Sequence, residues 1–135
     1  MTDIKYRLRH TMLPVQDLDR SIDFYTRVLG MSLVRERRGP DNPTPTAYVG
    51  YGPEATYPAL ELITNTGHHD KPWYGHIAVV VSDLKALCAR IDAAGIKLSR
   101  PLKEGGKASS NTYFAYVRDP DGFEIELTEQ KDGRV

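Results

Sequence analysis

The sequence predicts an α+β fold built from two βαβββ modules, and three observations support this prediction. Apolar and polar residues alternate in several short segments, as is typical of strands with one buried face. Two other segments have helical spacing of apolar residues, and each begins near an aspartate and ends at a glycine. Finally, the same order of features occurs twice, with a nearly constant offset along the chain.

The first half of the chain is predicted to form a strand, a helix and three further strands. Alternation places the first strand over residues 6–15. Asp17 is the predicted N-cap of a helix that stops at Gly30. The other strands are predicted over residues 31–38, 46–51 and 57–64. Loops rich in Gly, Asn and Pro separate them.

The second half repeats this order. A strand rich in β-branched residues is predicted over 74–81. Ser82 or Asp83 can cap the next helix, which stops at Gly95. The last three strands are predicted over 96–101, 111–118 and 123–129. The Asp-Pro-Asp-Gly sequence at 119–122 is a turn signal immediately before the last of them.

The repeat is clearest at two histidines and two glutamates. His10 and His76 lie 66 positions apart, and each precedes an Asp-Leu pair by seven positions. Glu61 and Glu126 lie 65 positions apart, and each stands between two apolar residues. A nearly constant offset across such unlike features indicates an internal repeat.

We predict that the two modules cover residues 1–66 and 67–135 and form one structural domain. A module of this length is too small to cover both faces of its own sheet. We therefore expect two curved, mixed sheets that line a shared trough, with the helices outside. The first and last strands of each module would then place one histidine and one glutamate in that trough.

Composition limits the classes of partner. The chain has 135 residues, of which 40% are hydrophobic and 27% charged, as expected of one soluble domain. Its 18 basic and 18 acidic residues cancel, which argues against a nucleic acid or an anionic membrane as partner. The single cysteine, Cys88, and a start without an apolar run predict a cytoplasmic protein.

The four repeated residues are candidate metal ligands. Two imidazoles and two carboxylates suit nickel, cobalt, iron, manganese or zinc better than calcium or magnesium. Four protein ligands would leave an octahedral shell open to water or substrate, as catalytic metals require. Taken singly, a strand histidine is more often part of a structural hydrogen bond, and a strand glutamate more often faces water. The correspondence between the modules is what favours the metal.

A family resemblance is carried by several segments, namely His10-Thr11-Met12-Leu13, residues 23–31, 49–53, 60–62 and 75–77, and the turn and strand at 119–127. Together these segments resemble the glyoxalase I (lactoylglutathione lyase) family in its short bacterial form, within the vicinal-oxygen-chelate superfamily. The resemblance extends from about Arg9 to Glu129. It also implies a glyoxalase/bleomycin-resistance/dioxygenase-like fold.

This resemblance implies a metal, an assembly and a reaction. His10, Glu61, His76 and Glu126 would be the ligands of one divalent ion, with nickel favoured and cobalt or zinc as alternatives. The family is homodimeric, with each site shared between chains. The substrate implied is the hemithioacetal of methylglyoxal and glutathione, which is isomerised to S-lactoylglutathione.

In the implied reaction, a carbon acid beside a carbonyl loses a proton and forms an enediolate, whose charge the metal stabilises. Glu126 is the predicted base, and Glu61 is a ligand and second candidate base.

The predicted thiol-binding residues are Asn65, Arg100, Lys103 and Lys107. The family has an arginine where this chain has Pro14, so the arginine that helps to hold a glutathione carboxylate is missing here.

Three alternatives follow. An isomerase, epimerase or lyase with the same metal could act on another thiol or on a thioester, and Pro14 favours this reading. A non-catalytic module that sequesters a small molecule or drug would not need the four ligands. An iron ring-cleaving dioxygenase would want only two histidines and one glutamate.

Overall fold

The strands and helices fall into two compact units, Met1–Lys71 and Pro72–Val135. A computed structural model describes residues 5–67, 76–104, 112–132 and 135. Each unit contains one helical segment and one four-stranded mixed sheet, in the order βαβββ. No helix in these ranges is long and apolar enough to cross a membrane.

The first unit opens with a strand and a helix. These are β1 (His10–Pro14) and α1 (Leu18–Asp23), and α1 continues as a π-helical turn (Phe24–Val28). The remaining strands are β2 (Ser32–Arg37), β3 (Thr46–Gly50) and β4 (Ala59–Ile63). The sheet order is β1-β4-β3-β2, with β1 parallel to β4 and the other pairs antiparallel.

The core of the first unit lies between the helix and the sheet. All five residues of β3 are buried, because they occupy the centre of the unit. Tyr25 and Val28 of the π-helical turn are fully buried, as are Leu13 of β1 and Leu62 of β4. The helical segment thus covers the apolar face of the sheet, and the other face is left for polar side chains.

The second unit has the same order of elements. They are β5 (Ile77–Val80), α2 (Leu84–Ala93), β6 (Leu98–Glu104), β7 (Thr112–Arg118) and β8 (Glu124–Gln130). The sheet order is β5-β8-β7-β6, again with only its first pair parallel. Leu84 and Ile91 of α2 are fully buried, together with Val117, Ile125 and Leu127 of the sheet.

The helix signals read from the sequence are confirmed. The Asp17 carboxylate accepts a hydrogen bond from the Arg20 N–H at 3.0 Å. In the second unit Asp83 is the N-cap and accepts from Ala86 at 2.8 Å. Gly30 and Gly95, which end the two helical segments, both have positive φ. Residues with a side chain adopt this left-handed conformation only at a cost in free energy.

The turn before β8 is also confirmed. Oδ1 of the buried Asp119 accepts hydrogen bonds from the backbone N–H groups of Asp121 and Phe123, at 2.9 and 2.8 Å. Gly122 has a φ of 89° and donates its N–H to the Asp119 carbonyl. These bonds fix where β8 begins and therefore which of its residues face the core.

Some boundaries differ from the prediction. β1 begins at His10 rather than at residue 6, because residues 6–9 are exposed and lie before the first register pair, His10 with Ala59. β6 runs to Glu104 instead of ending near 101, since Lys103 still pairs with Phe114 across the sheet. The π-helical turn was not predicted. The proposed module boundary after residue 66 stays a prediction.

Candidate metal centre

The first unit brings His10 and Glu61 together. His10 opens β1 and is in register with Ala59, two positions before Glu61 on the neighbouring strand. Its Nε2 lies 2.8 Å from Oε2 of Glu61. The side chains are 31% and 17% exposed, so the pair is half-buried yet open to a ligand.

The second unit repeats this arrangement with His76 and Glu126. His76 stands immediately before β5, whose first residue pairs with Ile125. Its Nε2 lies 2.7 Å from Oε2 of Glu126, and the side chains are 43% and 23% exposed. The two predicted His–Glu pairs are therefore present, one in each unit.

Strand alternation explains why these polar side chains share a face. In β4, Leu60 and Leu62 on either side of Glu61 are buried in the core. In β8, Ile125 and Leu127 flank Glu126 in the same way. Because successive side chains point to opposite faces of a strand, burial of the leucines and isoleucine directs each glutamate away from the core.

A tyrosine stands beside each pair. The ring of Tyr48 on β3 meets the His10 ring edge-on, with centroids 5.7 Å apart. Tyr116 on β7 meets His76 in the same way at 5.6 Å. Each tyrosine is directly opposite the glutamate of its unit in the strand register.

These tyrosines were missed by the sequence reasoning. The signal was present, since Ala-Tyr-Val occurs at both 47–49 and 115–117. In both units an arginine covers the tyrosine ring. The Arg35 Cζ lies 3.6 Å from the Tyr48 centroid, and the Arg100 Cζ lies 4.6 Å from the Tyr116 centroid. The repeat therefore extends beyond the four predicted ligands to an aromatic and a cationic residue in each unit.

The donor set of each pair fits a divalent transition metal. Imidazole nitrogen and carboxylate oxygen suit such ions. Neighbouring donors at metal–ligand distances of about 2.1 Å are separated by about 3 Å, close to the Nε2–Oε2 distance in each pair. Nδ1 of His10 is buried and has no hydrogen-bond partner in the described part of the chain. Packing against Tyr48 orients that ring.

The convergence of all four ligands on one ion remains a prediction. Within residues 5–67, 76–104, 112–132 and 135, no three His, Cys, Asp or Glu side chains form a group that could hold a metal ion. Each pair by itself would supply two ligands, so a further contribution would be needed to complete a site.

The predicted thiol-binding residues have other contacts. Asn65 adopts a positive φ of 59°, and its side-chain amide donates to the Pro43 carbonyl at 3.1 Å. Arg100 covers Tyr116, and the Lys103 Nζ lies 5.3 Å from the Phe114 centroid. Lys107 lies outside the described residues.

The arginines beside the two His–Glu pairs differ in their ion pairs. Arg35 binds Glu54 through two hydrogen bonds, of 2.6 and 3.2 Å. The hydrogen bond from Arg35 holds the pKa of the Glu54 carboxyl below its usual range, helped by the charges of Arg35, Arg9 and His10. Among the described residues, no carboxylate forms an ion pair with Arg100.

Comparisons with known proteins place these features in a family. The model of the Glyoxalase/Bleomycin resistance protein/Dioxygenase superfamily matches residues 7–127. Lactoylglutathione lyase of Escherichia coli O157:H7 is 46% identical over 132 residues, which cover 93% of this chain and 94% of that protein.

Solved structures of glyoxalase I are also similar to this chain. Glyoxalase I of Leishmania major, described as trypanothione-dependent, is 39% identical with a TM-score of 0.74, covering 95% of this chain and 89% of that one. Maize glyoxalase I is 37% identical with a TM-score of 0.80, covering 92% of this chain and 47% of that one, so this chain spans about half the maize chain. The chain therefore belongs to the Glyoxalase/Bleomycin resistance protein/Dioxygenase superfamily.

Proposed function

We propose that this chain is a lactoylglutathione lyase, which isomerises the hemithioacetal of methylglyoxal and glutathione to S-lactoylglutathione and so detoxifies methylglyoxal. One observation carries the proposal. A half-buried His–Glu pair is repeated in both units of a chain that is 46% identical to a lactoylglutathione lyase along nearly its whole length.

His10, Glu61, His76 and Glu126 would hold one divalent transition metal ion, with nickel first and cobalt or zinc as alternatives. Such an ion, when bound, stabilises negative charge on substrate oxygens. We also propose that the protein is a cytoplasmic homodimer. Because each unit would supply only two ligands, we propose that each site is shared between the two chains. The donor types of the two pairs and the family support this assignment.

Glu126 is the proposed base. It accepts the proton from the carbon beside the carbonyl and returns it to the neighbouring carbon, so the product is an isomer of the substrate. Its side chain is 23% exposed, which leaves it accessible to a bound molecule. Glu61, less exposed at 17%, is the proposed fixed ligand and second candidate base.

Arg100 and Lys103 are proposed to bind carboxylates of the thiol. Both lie on β6, and their cationic groups are held over aromatic rings of β7. A cation fixed in this way loses less freedom when it binds an anion. Lys107 and Asn65 are proposed to complete this region, although the Asn65 amide is already bonded to Pro43.

A second candidate is the same reaction type on another thiol. Pro14, which ends β1, has neither charge nor N–H to offer a carboxylate. The similar Leishmania protein is described as trypanothione-dependent, so family members differ in the thiol they use.

One experiment separates these functions. The protein is stripped of metal, reloaded with nickel, cobalt or zinc in turn, and assayed for thioester formation from methylglyoxal with glutathione or other thiols. We expect turnover with glutathione and nickel or cobalt. Turnover only with another thiol would establish the second candidate. Purified protein without stoichiometric transition metal and without turnover would instead indicate a sequestering module.

A further inference from the structure

Each of the two glutamates faces a tyrosine on the adjacent strand, but these tyrosines have different surroundings. Tyr116 is directly opposite Glu126 on the adjacent antiparallel strand, so their side chains lie on the same face of the sheet. The Tyr116 ring also meets His76 edge-on, and His76 lies 2.7 Å from Glu126. Tyr116 is therefore a neighbour of both members of the pair, across the strand from Glu126 and edge-on to His76.

The phenol of Tyr116 is suited to donate a hydrogen bond. A tyrosine hydroxyl has an ordinary pKa of about 10, well above neutral pH. The hydroxyl therefore keeps its proton at neutral pH. A carboxylate accepts hydrogen bonds but does not donate them, so a protonated phenol is a complementary partner for Glu126.

In the first unit the corresponding tyrosine is differently engaged. Tyr48 is opposite Glu61 and contacts His10, but the guanidinium of Arg35 lies only 3.6 Å from its ring centroid. Arg35 interacts with the Tyr48 side chain and is itself held by Glu54. Arg100 is a full 1 Å farther from the Tyr116 ring, and no described carboxylate forms an ion pair with it.

We propose that Tyr116 is a positioning residue, whose hydroxyl donates to the Glu126 carboxylate and holds it beside His76, whereas Tyr48 has no such role toward Glu61. The assignment of Glu126 as base rests on the proposed function. The positioning itself depends only on the contacts within the second unit. This hydrogen bond makes the two His–Glu pairs inequivalent, because a tyrosine hydroxyl orients Glu126 but not Glu61.

Tyr116→Phe tests this with Tyr48→Phe as the matched control. Both substitutions keep the ring that packs on histidine and arginine, and remove only the hydroxyl. The first measurement is the affinity of the metal-free protein for nickel, by competition with a chelating dye. Loss of a group that orients a metal ligand typically weakens binding by about 10-fold or more. We expect that loss in Tyr116→Phe and less than about a twofold change in Tyr48→Phe.

The second measurement repeats Tyr116→Phe in a Glu126→Gln background. If the hydroxyl acts through Glu126, its removal has little further effect on nickel affinity there. In the nickel-loaded enzyme, Tyr116→Phe lowers kcat by about 10-fold and changes KM by less than about twofold, as expected when a transition-state interaction is lost.

Equal effects of the two tyrosine substitutions, or an unchanged affinity in Tyr116→Phe, would overturn the proposal. So would a Tyr116→Phe protein that fails to fold, because the hydroxyl would then be structural. The proposed function fails separately. A wild-type protein that binds nickel but lacks hemithioacetal activity, with affinity reduced only in Tyr116→Phe, would reject that function and retain the positioning role.

Discussion

In the first unit the tyrosine beside the histidine is covered closely by Arg35, and a salt bridge to Glu54 holds that arginine in place. In the second unit Arg100 stands farther from Tyr116, at 4.6 Å from the ring centroid, and no described carboxylate forms an ion pair with it. The strand order and the His–Glu distances are otherwise nearly the same in the two units. The internal repeat thus reproduces the His–Glu pair, while the residues around it differ between the two copies.

This contrast bears on the proposed function. There each copy would contribute a His–Glu pair to the metal, but proton transfer needs one carboxylate that can reach the substrate. Different surroundings would let Glu126 act as the proposed base while Glu61 serves as a proposed ligand. The substitutions below test how far the two units differ, from the largest expected effect to the smallest.

The largest difference is expected between Glu126→Gln and Glu61→Gln. At saturating metal, Glu126→Gln should lower kcat by at least about 100-fold, because a general base contributes about 100- to 10,000-fold. Glu61→Gln should lower kcat less. Steady-state kinetics measures kcat for each variant, and the metal content of each preparation is determined alongside. Equal losses at equal metal content would show that both glutamates share the proton transfer.

The cores should behave alike. Leu62 and Leu127 are each fully buried beside the glutamate of their unit. Replacement of either by alanine should lower the free energy of unfolding by about 3 kcal/mol, within the usual range for buried leucines. Urea denaturation measures the loss. If the free energy of unfolding did not change in one unit, the leucine of that unit would not be part of a packed core.

The helix caps should differ modestly. Asp17→Ala should destabilise the protein by about 1 kcal/mol, the usual cost of a lost N-cap. Asp83→Ala should cost less, because the Glu129 carboxylate also accepts from the Leu84 N–H, at 2.6 Å, at the start of the second helix. Thermal unfolding of the two variants provides the comparison, and a greater loss in Asp83→Ala would contradict it.

The smallest effect concerns pH. Since Arg35 lowers the pKa of Glu54 below its usual 4.5, the ionised carboxylate stabilises the folded state above that pH. The contribution is lost as the pH falls through the lowered folded pKa. The stability advantage of wild type over Glu54→Gln should therefore be present at about pH 7 and shrink at about pH 3. An advantage that does not change with pH would exclude the ion pair as its source.

Much of this architecture could be read from the sequence because local rules and tertiary packing agree. Aspartate caps, stop glycines and strand alternation each specify the same elements that the sheets require. The two His–Glu pairs were predictable for another reason, namely that the offset between copies links residues that are distant in sequence.

What could not be read depends on the strand register and on side-chain contacts. Tyr48 and Tyr116 became part of the site only once the register placed them opposite the glutamates. Likewise, the salt bridge of Arg35 joins residues 19 positions apart, from β2 to the turn after β3. Neither periodicity nor composition encodes such contacts. The proposed convergence of all four residues on one ion would involve more than one unit, which sequence spacing alone cannot establish.

The π-helical turn of the first unit has a consequence for how such duplicated proteins evolve. Gly30 follows its capping aspartate by 13 positions, whereas Gly95 follows its own by 12. In the turn the Leu29 N–H bonds to the Phe24 carbonyl five residues earlier, so one turn accommodates one more residue than an α-helical turn. The extra residue is accommodated as a local bulge within the helical segment. Ancestral copies can thus gain or lose a codon on the helical side while the opposite face of the sheet stays aligned.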